Sequence, residues 1–127
     1  MRFVETPLAP APGGHYSQAV IHNGIVYVAG QLPIDPADRH APPGDAAEQT
    51  RRAMENVRNV LEAAGSGLDK ILQVTVYVAD ISMWGEVNRV YTEVMGDHRP
   101  ARAVVPVPNL HFGFLIEIQA IAALADN

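Results

Sequence analysis

Residues 114–124, FLIEIQAIAAL, constrain this chain more than any other stretch. The run reads as a strand that is apolar on both alternating faces: Ile116, Ile118, Ala120 and Ala122 fall on one side, Leu115 and Ile121 on the other. A strand in a sheet with one face open to water would usually carry polar residues on that face. This strand therefore needs cover on both sides. The chain offers two amphipathic helices, enough for one face of a small sheet. The other face needs a partner, and with one chain the simplest partner is another copy. The expectation is a homo-oligomer.

The other elements follow from periodicity and punctuation. Asn23-Gly24 joins two short apolar runs and accepts positive φ at both positions, which predicts a hairpin with strands at 18–22 and 25–30. The Pro/Gly-rich opening, 7–14, reads as extended or turning, and LPIDPADRHAPPG as a loop. Asp45 and Glu48 form a capping-box pair ahead of Thr50, Ala53, Met54, Val57, Val60, Leu61 and Ala64, which recur at helical spacing up to Gly65. KILQVTVYVAD is alternating and β-branched, a strand over 71–78. A second helix starts at Asp80 or Ser82, carries the stripe Trp84, Val87, Tyr91, Val94 and Met95, and stops at Gly96. Strands at 101–105 and 114–123 complete the order ββαβαββ. This is an α+β chain with both helices on one face of the sheet. With 127 residues, no internal repeat and no linker, it reads as a single domain, 1–127.

Composition removes several classes of function. An apolar fraction of 48% with 18% charged residues is globular rather than disordered. The net charge is −5 and the nine basic residues are scattered, so there is no electrostatic footprint for nucleic acid. The chain has no cysteine, which removes disulfides, thiol nucleophiles and thiolate metal sites and suits a reducing cytoplasm. Neither a signal-peptide core nor a membrane-length apolar run is present, so no membrane association is expected. Five histidines lie far apart without ligand spacing, and a metal site is not expected. Dinucleotide, P-loop and serine-elbow motifs are missing.

What remains is sparse. Arg102 opens an apolar, strand-like run, DHRPARAVV, and is either a solvated strand end or an anion receptor. Glu117 lies between Ile116 and Ile118 and is either an edge carboxylate or an acid in a partly dry site, where desolvation would suit it to proton transfer. Asn88 interrupts the stripe of the second helix and needs hydrogen-bond partners, most simply local backbone. Tyr16 and Gln31 adjoin flexible turns. Such a set suits binding a small carboxylate and moving a proton, and names no reaction.

These residues sit in segments that resemble the RidA (YjgF, L-PSP) family. GGHYSQAV is similar to its GPYSQAV segment, VYVAGQLPIDP to its G-Q-(I/L)-P-x-(D/N)-P segment, and 56–95 to its helix–strand–helix core. RPARAVVPVPNL and FLIEIQAIAA resemble its PAR and IEI-(E/Q)-AIA signatures, in the same order and without large gaps. The resemblance implies an α+β fold similar to chorismate mutase, of the ferredoxin-like type, with a mixed sheet of about six strands. It also implies a homotrimer with ligand clefts between neighbouring subunits. The implied activity is hydrolysis of reactive 2-imino and enamine acids, such as 2-aminoacrylate, to 2-oxo acids and ammonia without metal or organic cofactor. Two alternatives stand beside it: a pathway-specific deaminase of an aminomuconate- or aminoacrylate-like intermediate, and a trimer that binds 2-oxo acids without turnover.

By the same resemblance Arg102 would grip the substrate carboxylate, and Glu117 would orient water and shuttle protons. Tyr16 and Gly30 would line the cleft, and Asn88 would support its wall. Val104 stands where archetypal members carry a cysteine, and with the HFGF loop, 111–114, implies a pocket of different shape.

Overall fold

The computed structural model describes residues 1–125. One six-stranded sheet carries both helices on one face, in the spatial order β1-β2-β3-β6-β4-β5. The strands are β1 (Arg2–Val4), β2 (Ala19–His22), β3 (Ile25–Gln31), β4 (Ile71–Val78), β5 (Ala101–Pro106) and β6 (Ile116–Ala123); the helices are α1 (Ala46–Ala63) and α2 (Trp84–Met95). All pairings are antiparallel except β4 with β5. The parallel pair needs a crossover, and α2 supplies it. No helix among the described residues is long and apolar enough to cross a membrane.

Local chemistry accounts for most boundaries. Asn23 and Gly24 turn the β2–β3 hairpin at φ 52° and 77°. Asp45 caps α1 through the Glu48 amide at 2.9 Å, and the Glu48 carboxylate accepts from the Asp45 amide at 3.3 Å. Along α1, Ala53, Met54, Val57, Val60 and Leu61 are fully buried against the sheet. The facing strands contribute Val26, Val74, Val76, Val78, Ile116 and Ile118. Burying each large aliphatic side chain stabilises the fold by roughly 1.5–3 kcal/mol.

Three differences from expectation exceed a single residue. β1 was not foreseen: three residues are too short for an alternation signal, and β1 exists because it pairs with Ala19–Ile21 of β2. Asp80 accepts from the Ser82 amide, but it caps only a tight turn, Ile81–Met83, so α2 begins at Trp84. β6 begins at Ile116 rather than 114, since the Leu115 amide leaves the ladder to donate to Gln49 Oε1 at 2.8 Å.

The other face of the sheet is bare. Register aligns Phe3 with Val20, Val20 with Tyr27 and Tyr27 with Ile121, an apolar row across four strands. Phe3 is 68% exposed and Tyr27 48%. The doubly apolar strand thus has one face in the core and the other in this uncovered row.

Candidate functional site

β3 and β6 build the first half of the site. Their register slips between Val28 and Gln31, and Gly30 lies in the irregular stretch. There the Glu117 side chain folds over the glycine: a Cβ on Gly30 would stand 2.7 Å from Glu117 Oε2 and 3.0 Å from its Cδ. The glycine is needed for this close approach, since its φ is not in the left-handed region. Gly30, Glu117 and Tyr16 line one cavity of about 460 Å³. Burial pushes the Glu117 carboxyl above its ordinary value, and the nearby His111 opposes the rise.

Buried amides fix the walls. Gln18 accepts from the Thr6 amide at 2.6 Å and donates to the carbonyls of Thr6, Ala9 and Pro10, clamping the Pro-rich opening along the cavity. Asn56 of α1 donates to the carbonyls of Leu32 and Ile34, each at 3.0 Å, and sets the loop after β3. Gln49 holds the entry to β6 through Leu115 and also donates to the Gly44 carbonyl. Each of these buried amides has hydrogen-bond partners, although the Asn56 Oδ1 is left without one. Sequence reasoning missed all three; Gln49 and Asn56 lie seven residues apart on the buried side of α1, and that placement was the available signal.

The second half lies on β5 and α2. Arg102 aligns with Val74, which points to the helices, whereas Glu117 aligns with Tyr77 on the opposite face. The guanidinium carbon of Arg102 sits 4.6 Å from the Trp84 ring centroid and 4.8 Å from that of Tyr91. Arg102 Nη1 donates to Asn88 Oδ1 at 3.0 Å. Asn88 thus pairs with a charged side chain rather than with local backbone. Trp84, Asn88 and Tyr91 recur at helical spacing, and together they cradle the cation. Burial raises the Tyr91 phenol, with Arg102 pulling the other way. His98 Nε2 lies 2.8 Å from the Ile71 carbonyl and ties the segment before β5 to β4. Val104 is on the Arg102 side of β5, packed against the core.

The chain therefore brings Tyr16, Gly30 and Glu117 together, and separately Arg102 and Asn88, but not the two groups with each other; Val104 lines neither cavity and packs on the core. Arg102 makes no ion pair with a carboxylate among the described residues. It is a held, exposed cation.

Comparison with known proteins places the architecture. The family model described as endoribonuclease L-PSP matches residues 6–124. A RutC family protein of Pyrococcus abyssi is 44% identical over 92% of this chain and 92% of its own. The 2-iminobutanoate/2-iminopropanoate deaminase of Rattus norvegicus is 40% identical over 95% of this chain and 88% of its own. Among solved structures, E. coli TdcF with bound serine superposes with a TM-score of 0.93 at 32% identity, covering 98% of this chain and all of that one. A match that runs through the Gly30–Glu117 cavity and the Arg102 strand alike makes this chain a member of the L-PSP family, the RidA/YjgF family.

Proposed function

We propose that the protein hydrolyses reactive 2-imino acids to 2-oxo acids and ammonia, at sites that two neighbouring subunits of a homotrimer complete. The observation that carries the reading is Arg102, a guanidinium braced by two rings and an amide and in no ion pair with a carboxylate of the described residues. Its planar fork suits a substrate carboxylate, bound through two parallel hydrogen bonds. The rat relative's name supports imine hydrolysis, and the serine bound to TdcF carries a carboxylate of the same kind.

The chemistry asks for little. Arg102 of one subunit fixes the carboxylate and so orients the C=N bond over Glu117 of the next. Glu117, ionised, takes a proton from water as the oxygen adds to the imino carbon and a carbinolamine forms. That proton passes to nitrogen. Glu117 then takes the carbinolamine hydroxyl proton and delivers it to nitrogen as the C–N bond breaks, so the carbonyl forms and ammonia leaves carrying both protons of the water. Water, an anion clamp and one proton carrier balance the reaction. Gly30 allows the carboxylate its place, and Tyr16 lines the same cavity.

The apolar row Phe3–Val20–Tyr27–Ile121 is the surface on which copies would meet. A nuclease reading, suggested by the family description, has less support. A net charge of −5 opposes binding of a phosphate backbone.

The test generates imino acids with an amino-acid oxidase and follows ammonia release. Arg102→Ala is expected to lower kcat/KM by about 100-fold, and Arg102→Lys to recover only part of the loss, because a point charge lacks the fork. Equal rates in the variants and the parent would reject the assignment. Binding of 2-oxo acids by the parent without turnover would convert the reading to a ligand-binding trimer.

A further inference from the structure

The turn His111–Gly113, just before β6, is built against backbone preference. Phe112 stands at φ 59°, ψ 20°, and Gly113 follows at φ 73°. Glycine adopts such angles freely, but a bulky side chain there is an outlier and costs stability. Core burial does not offset the cost, for Phe112 is 79% exposed. Its ring is nonetheless braced, edge-on to Phe114 at 6.2 Å between centroids and tilted against His111 at 5.9 Å. Strain held in place beside a cavity is a functional signal rather than a packing solution.

The cavity is the one that contains Glu117. Its apolar lining includes Phe112 together with Leu32 and Ile34, whose backbone is pinned by Asn56. At about 460 Å³ it falls within the range of small-molecule pockets. A three-carbon imino acid, with six heavy atoms, leaves most of that space empty, and an aromatic imino acid of twice that many atoms occupies about twice as much of it.

Resting on the deaminase reading above, we propose that Phe112 is a specificity-determining wall. The site selects 2-imino acids with an aromatic or branched apolar side chain, which packs against Phe112, Leu32 and Ile34, over three-carbon acids. The other side chains lining the cavity include the polar Tyr16, Gln31, Arg39, His111 and Glu117, so Phe112, Leu32 and Ile34 are the large apolar side chains available to an apolar group.

The experiment compares two imines made in situ by amino-acid oxidases, 2-imino-3-phenylpropanoate and 2-iminopropanoate. The protein, Phe112→Ala and Phe112→Gly are assayed in parallel, with the oligomeric state of each measured. The parent is expected to favour the aromatic imine in kcat/KM, and both variants to lose about tenfold of that ratio. Glycine relieves the backbone, so Phe112→Gly guards against a folding failure of the alanine variant. A parent without the preference, or a ratio that survives both substitutions, overturns the proposal. So does a change of assembly without a change of ratio, which would make Phe112 an interface residue. Release of ammonia from neither imine by the parent would sink the deaminase reading instead. The present inference would then be decided by calorimetry, as the affinity ratio for 3-phenyl-2-oxopropanoate over pyruvate in parent and variants.

Discussion

The Glu117 cavity and the Arg102 shelf belong to one sheet but face opposite ways, and they are made by different means. Backbone makes the first: a register slip, a glycine with no room for a Cβ, and three loops pinned by buried amides. Side chains make the second: an exposed arginine placed by two rings and an amide at helical spacing. A pinned backbone tolerates little change, whereas Arg102 and Asn88 can be altered without disturbing the core; Tyr91 cannot, since it is a core residue as well. Neither half holds both Glu117 and the braced Arg102.

The sharpest way to break that contrast is to mix subunits. Arg102→Ala and Glu117→Gln chains, each nearly inactive alone, are combined at equal ratio. If the site spans two protomers, about a quarter of the sites in random trimers regain both groups. Activity then rises about 25-fold over either parent variant; mixtures as inactive as their components would place the reaction within one chain. A smaller effect separates backbone from side chain at Gly30. Gly30→Ala leaves the fold intact, because its methyl group meets only the flexible end of Glu117, but it shifts the carboxylate. A displacement of a few tenths of an ångström lowers kcat by about tenfold with little change in melting temperature; an unaltered kcat would show that the close approach has no catalytic consequence.

The smallest effect is on pH. Glu117 acts ionised, so kcat/KM falls on the acid side as it takes up a proton. Burial raises its carboxyl above the ordinary value, and His111 holds the rise in check. His111→Ala removes that opposing charge, so the acid limb moves to higher pH. Tyr77, which aligns with Glu117 on β4, and Tyr16 and Arg39 in the cavity stay unchanged. A limb that does not move would remove His111 from the proton chemistry.

Much of the fold was legible because its signals are local. Asn23-Gly24, the Asp45–Glu48 box, Gly65 and the alternation of 71–78 each fix an element from a few neighbouring residues. β1 was not, because its only cause is β2. The site divides along the same line. Arg102 and Glu117 are conspicuous as charges inside apolar runs, but their lying on opposite faces follows from strand register, which no single run contains. Trp84 and Tyr91 read as core, and they do pack there, but their second role as a cation cradle has the same spacing as an apolar stripe and so gave no separate signal. Gln18 gave no warning, since its partners lie eight to twelve residues away in an irregular segment.

The borders of the sheet have a consequence for how copies can join. On one side β1 is three residues long, and on the other β5 ends in Pro106, follows Pro100 and carries Arg102. Neither offers a long run of free amides to an incoming strand, and proline removes a donor outright. Ribbon growth by strand addition is thereby disfavoured, and association is left to the flat apolar surface. In the proposed trimer, contacts repeated by a rotation that closes would form a small ring instead of a fibre.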